Sequence, residues 1–119
     1  MTTEMPSDTS ATSPDKPVRI NGTAELDEFV ANGDVILADF YADWCGPCRM
    51  LEPIVKRLAS DTDATVAKVD VDTNPQLANS FGVRGVPTLV LFADGEQVEK
   101  IVGVQSEEQL RSLIESHTN

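Results

Sequence analysis

Residues 35 to 41, VILADFY, form a run of strand length in which apolar side chains fill both alternating faces and one aspartate, Asp39, intrudes. A strand that borders water alternates apolar with polar, so this run has to be covered on both sides. It predicts the interior strand of a sheet with helices packed against each face. Just beyond it, WCGPC (Trp44 to Cys48) holds both cysteines of the chain.

The remaining elements read from periodicity and punctuation. TAELDEFVANG offers Thr23 as an N-cap, an apolar face of Leu26, Phe29 and Val30, and Gly33 as a stop, which predicts a short helix. From Cys45 onward Leu51, Ile54, Val55 and Leu58 recur at helical spacing, so the cysteines open a second helix, with Pro53 expected to bend it. ATVAKVDVD reads as a strand and NPQLANSFG as a helix capped by Asn74, with Pro75 first and Gly82 at its end. TLVLF and EQVEKIV flank the turn ADG and form an antiparallel hairpin. A final helix starts at the capping box of Ser106 with Gln109 and buries Leu110, Leu113 and Ile114. Alternating strands and helices closed by a hairpin and helix predict an α/β fold with a mixed sheet. In such a sheet, sites gather at the carboxyl ends of strands, where WCGPC lies.

Met1 to Pro17 is rich in Ser, Thr and Pro and has little to bury, so we expect a disordered tail before one domain at 18–119. That stretch has neither the apolar core of a secretory signal nor an arginine for a transit peptide, and no apolar run reaches membrane-spanning length. A cytoplasmic protein with no membrane association is predicted. Net charge is -11, which disfavours nucleic acid as a partner. Two readings of the acidity stand side by side: a solvated surface kept soluble by charge, or a surface suited to high ionic strength, where screening removes self-repulsion.

Thiols three residues apart on one helical turn lie within the span of a disulfide. As a staple, so small a loop would contribute only about 2 kcal/mol. In a reducing compartment a transient bond is expected rather than a lasting one. Zinc would need more soft ligands than His117 supplies, and covalent haem would need a histidine where Arg49 stands, so no metal or cofactor is expected. Redox cycling remains. Cys45, at the helix N-terminus, is the expected nucleophile, and Cys48, one turn inside, is expected to be more buried and to resolve. Pro47 fixes the first turn without losing a helical donor, and Gly46 leaves the sulfur of Cys45 open to approach.

With DFYADWCGPC at 39–48, RGVPTLVLF at 84–92 and DG at 94–95, the chain resembles the thioredoxin family over about Val18 to Ser116. The resemblance implies a thioredoxin fold, a mixed five-stranded central sheet flanked by four helices, and a protein-disulfide reductase acting by thiol–disulfide exchange. It implies disulfide-containing substrate proteins, a thioredoxin reductase as electron donor, and a monomer. It further implies Cys45 as attacking thiol, Cys48 as resolving thiol, Asp39 as the buried carboxylate beneath them and Lys68 as its charged neighbour. Pro87 matches a cis-proline, and Trp44, Val86, Gly103 and Val104 match an apolar rim for substrate. Tyr41 and Arg49 depart from residues common among relatives.

Taken alone, several of these residues have plainer readings. Asp39 could face water at a strand end, Pro87 could be an ordinary strand-opening proline, Trp44 could be a packing aromatic, and Lys68 could be a solvent-facing lysine. Two other functions also stand beside the reductase: a disulfide oxidase or isomerase on the same fold, disfavoured by Gly-Pro between the cysteines, and a docking module with incidental thiols.

Overall fold

The computed structural model describes residues 15–118. The expected tail therefore lies, up to residue 14, outside the described residues. Asp15 to Pro17 lead into β1 (Val18–Arg19), which is followed by α1 (Thr23–Asn32), β2 (Val35–Tyr41), α2 (Gly46–Asp61) and β3 (Thr65–Asp70). Then come α3 (Pro75–Ser80), β4 (Thr88–Ala93), β5 (Glu96–Val102) and α4 (Glu107–Ser116).

One five-stranded sheet runs in the order β1-β3-β2-β4-β5. β1 and β2 pair parallel to β3, while β4 pairs antiparallel to β2 and β5 antiparallel to β4. β2 is central, and all seven of its residues are buried, as its apolar run requires. On one face Val35, Leu37, Val66, Leu89 and Leu91 pack under Leu51, Val55 and Leu58 of α2 and under Leu110 and Ile114 of α4. On the other, Ile36, Ala38, Phe40, Ala67 and Val69 pack against Leu26 of α1 and Leu77 of α3. Each fully buried Leu or Val here stabilises the fold by about 1.5–3 kcal/mol before entropy is subtracted.

The hairpin turns through Asp94 and Gly95 at φ 53° and 85°, left-handed values that suit the ADG sequence. At α4 the capping box is complete: Ser106 Oγ accepts from Gln109 N, and the Gln109 side chain accepts from Ser106 N. Leu110 and Ile114 are buried and Leu113 partly so.

Two local expectations change, and one strand has no local signal. β1, too short to carry a periodicity, was legible only through the family resemblance. The N-cap of α1 is Gly22, not Thr23, which is the first helical residue. Gly22 takes a positive φ, the Glu25 carboxylate accepts from Asn21 N, and Asn74 Oδ1 accepts from Gly22 N, so the amides before this helix are met without a threonine cap. Asn74 does stand at the N-cap of α3, but makes no side-chain cap. Its amide bridges instead, donating to Asp70 O and accepting from Gly22 N across 52 residues.

Candidate functional site

The site forms where β2 ends and α2 begins. Tyr41 and Ala42 are buried, Cys45 N donates to Ala42 O at 3.1 Å, and this turn delivers Cys45 to the N-cap position of α2. Pro47 sits in the first turn, where its missing N–H costs no helical bond. Cys45 and Cys48 are joined as a disulfide, with Cα atoms 5.3 Å apart. Cys48 N donates to Cys45 Sγ at 3.1 Å, so an amide of the helix terminus points at the outer sulfur. That placement favours negative charge on Cys45 once the bond is open.

The two cysteines do not differ in burial as expected. Both cysteines are 4% exposed, because in the closed pair Cys45 is itself packed among Tyr41, Ala42 and Val86. Position on the helix, rather than depth, distinguishes them. Gly46 is exposed and a Cβ built there would meet nothing within 4 Å, leaving open space beside the sulfurs.

Opposite the dithiol, the loop before β4 carries Val86 and Pro87, joined by a cis peptide bond. The Val86 carbonyl lies 3.7 Å from Cys45 Sγ, which links two segments 41 residues apart. Gly103, at φ 92°, donates its N–H to Pro87 O at 2.8 Å and so fixes the next loop against this one. Beside them Trp44 is 68% exposed and Val104 40% exposed. Of the expected rim residues, Val86 packs directly against the cysteines and Gly103 is tied to Pro87 next to it. The indole of Trp44 donates to Asp72 Oδ2 at 2.9 Å, which holds a large exposed ring in place. Arg49 Nη2 donates to the Asp43 carbonyl at 2.8 Å and ties α2 back to the same turn.

Asp39 shares a face of β2 with Leu37 and lies under α2, whose first turn carries the cysteines. It is 1% exposed, not facing water, and its Oδ1 has no hydrogen-bond partner. Burial therefore dominates, and its pKa is pushed up to about 6, against the lowering by Lys68 and with a smaller upward push from Glu52. Lys68 pairs with Asp39 in the β2–β3 register. It is not solvent-facing either, since its side chain is 11% exposed. Its hydrogen bond goes to Glu52 Oε2 at 3.1 Å, and its ammonium lies 4.3 Å from the centre of the Tyr41 ring. The Lys68 bond holds the Glu52 carboxyl below its ordinary range.

Glu52, Asp72 and the carbonyl of Asp43 were not foreseen as parts of this site. Glu52 had a usable signal, lying four residues after Cys48 and so on the same face of α2. The other two had none, because Asp72 meets Trp44 only through the fold and a carbonyl carries no sequence label. Among the described residues no group of His, Cys, Asp and Glu is arranged to hold a metal ion. No helix there is long and apolar enough to cross a membrane.

A family model described as Thioredoxin matches residues 17–116. The chain is 47% identical over 96 residues to a thioredoxin of Staphylococcus saprophyticus, covering 79% of this chain and 91% of that one. It is 43% identical over 101 residues to a thioredoxin of Chlamydia pneumoniae, covering 84% and 98%. Among solved structures, a mutant thioredoxin from Halobacterium salinarum NRC-1 superposes with a TM-score of 0.88 at 64% identity, covering 91% of this chain and 96% of that one. Fasciola hepatica thioredoxin superposes with a TM-score of 0.79 at 36% identity, covering 85% and 99%. With a redox pair built at a helix tip and relatives matched over nearly their whole length, this chain belongs to the thioredoxin family and is a dithiol oxidoreductase that acts on disulfides.

Proposed function

We propose that the protein is a cytoplasmic, monomeric electron carrier in which Cys45 attacks and Cys48 resolves. The Cys45 thiolate displaces one sulfur of a substrate protein's disulfide: the substrate S–S bond breaks, a mixed disulfide forms, and a substrate thiolate leaves. Cys48, losing its proton to Asp39, then attacks Cys45 Sγ. The substrate departs as a dithiol carrying both electrons, and the carrier is left oxidised in the bonded form. A thioredoxin reductase restores it.

The amide of Cys48 aimed at Cys45 Sγ carries this reading, since it favours charge on the outer thiol and not the inner one. A buried carboxyl with a pKa near 6 supports the second step, because at neutral pH it is poised both to accept and to return a proton. The exposed indole of Trp44, with Val86, Pro87, Gly103 and Val104, supports a rim for an extended substrate segment. The need to regenerate the dithiol supports placement in a reducing compartment such as the cytoplasm. The acidic surface supports protein rather than nucleic acid as the substrate class.

Insulin reduction driven by dithiothreitol tests the assignment. Cys45→Ser is expected to abolish the acceleration, and Cys48→Ser to accumulate a mixed disulfide visible by mass spectrometry. Activity equal to wild type in Cys45→Ser would favour the docking-module reading. Equilibration with glutathione of known poise separates a reductant from an oxidase or isomerase.

A further inference from the structure

The chain has nine basic residues against twenty acidic ones, yet four of the nine line one cleft. This cleft, about 700 Å3, opens between β1, α2 and β3, and its cations are Lys16, Arg19, Lys56 and Lys68. Two carboxylates, Asp15 and Glu52, share it, so positive charge is in excess. Among the described residues Lys16, Arg19 and Lys56 form no ion pair, while Lys68 is held by Glu52. Grouping like charges raises their mutual repulsion, and in a chain so acidic there is no shortage of carboxylates to disperse them. The arrangement is what a multiply charged anion would stabilise.

We propose that this cleft binds a small phosphate-class anion carrying at least two negative charges, such as a diphosphate group. The cleft's volume falls within the range of about 300–1,000 Å3 typical of small-ligand sites. Arg19 contributes a planar fork matched to phosphate oxygens, and the lysines contribute point charges around it. The acidic surface elsewhere does not defeat the attraction, because at physiological ionic strength charges beyond about 8 Å are largely screened. The site does not depend on the dithiol assignment, and its ligand can be measured on the oxidised protein.

Inorganic pyrophosphate is titrated into the full-length oxidised protein at ionic strength held constant with sodium chloride, and backbone amide shifts are followed by NMR. Saturable shifts centred on Arg19, Lys56 and Lys68 are expected. Lys56→Gln, at an exposed position, is expected to weaken binding about tenfold, the loss of one charge-assisted contact. Glu52→Gln, which removes an opposing charge, is expected to tighten it. Lys100→Gln, outside the cleft, is expected to leave it unchanged. A nucleoside diphosphate run in parallel tells a free phosphate from a carried one, and saturation by either supports the site. Shifts that rise linearly without saturating, or equal weakening by Lys100→Gln and Lys56→Gln, would overturn the proposal.

Discussion

Asp39 stands where packing and chemistry conflict. The face of β2 beneath α2 is otherwise filled by Val35 and Leu37, and a carboxylate there is desolvated without a partner for Oδ1. Its folded pKa of about 6 lies above the ordinary 3.8, so the folded molecule holds a proton that the unfolded chain releases between these values. The stability contributed by that proton is complete below pH 3.8 and is lost as pH rises through 6. Asp39→Asn removes the dependence. We expect the variant to match wild type near pH 4 and to exceed it by about 3 kcal/mol at pH 8, two pKa units at 1.36 kcal/mol each. Urea unfolding of the oxidised protein at both pH values checks this, and a gap that does not widen counts against it. The same variant should slow release of the mixed disulfide. Glu52→Gln bears on the same carboxyl from α2: it removes a charge that raises the Asp39 pKa and frees Lys68, which lowers it. The pH profile of mixed-disulfide release is then expected to move to lower pH, a change that a purely structural loss of one surface ion pair would not produce.

Each element was readable to the degree that its stabilising contacts are local. The capping box of α4 lies within four residues, so Ser106 and Gln109 announced it directly. Ser106→Ala is expected to cost about 1 kcal/mol in thermal or denaturant unfolding. The hairpin turn is similarly local, and Gly95 at φ 85° holds a conformation that a Cβ disfavours, so Gly95→Ala should cost about 1–2 kcal/mol. A cost near zero would mean that the turn relaxes to another form. The entry to α1 was misread because its amides find partners in Glu25 and in Asn74, which belongs to another helix. β1 was not readable from its residues at all, since two residues become a strand only by pairing Val18 with Ala67 and Arg19 with Lys68.

Across the whole molecule, a charge of -11 sets the response to salt. Ion pairs such as Arg57–Glu107 and Arg111–Asp61 link α2 to α4 at the surface, where such pairs are worth little and weaken further on screening. Self-repulsion of the acidic surface fades as the screening length falls from about 10 Å at 0.1 M to about 3 Å at 1 M. The urea midpoint is therefore expected to rise between 0.05 and 1 M potassium chloride. A flat or falling midpoint would leave the acidity as a device for solubility alone.

The sequence by itself determined the order of most elements, the central strand, and a dithiol at the head of a helix, because periodicity, caps and a three-residue cysteine spacing act over a single turn or strand. Only the tertiary structure decided that Lys68 binds Glu52, that Val86 meets Cys45, and that four scattered cations line one cleft. Those contacts join residues up to about fifty positions apart. Sheet register and helix packing create them, and no local pattern encodes either.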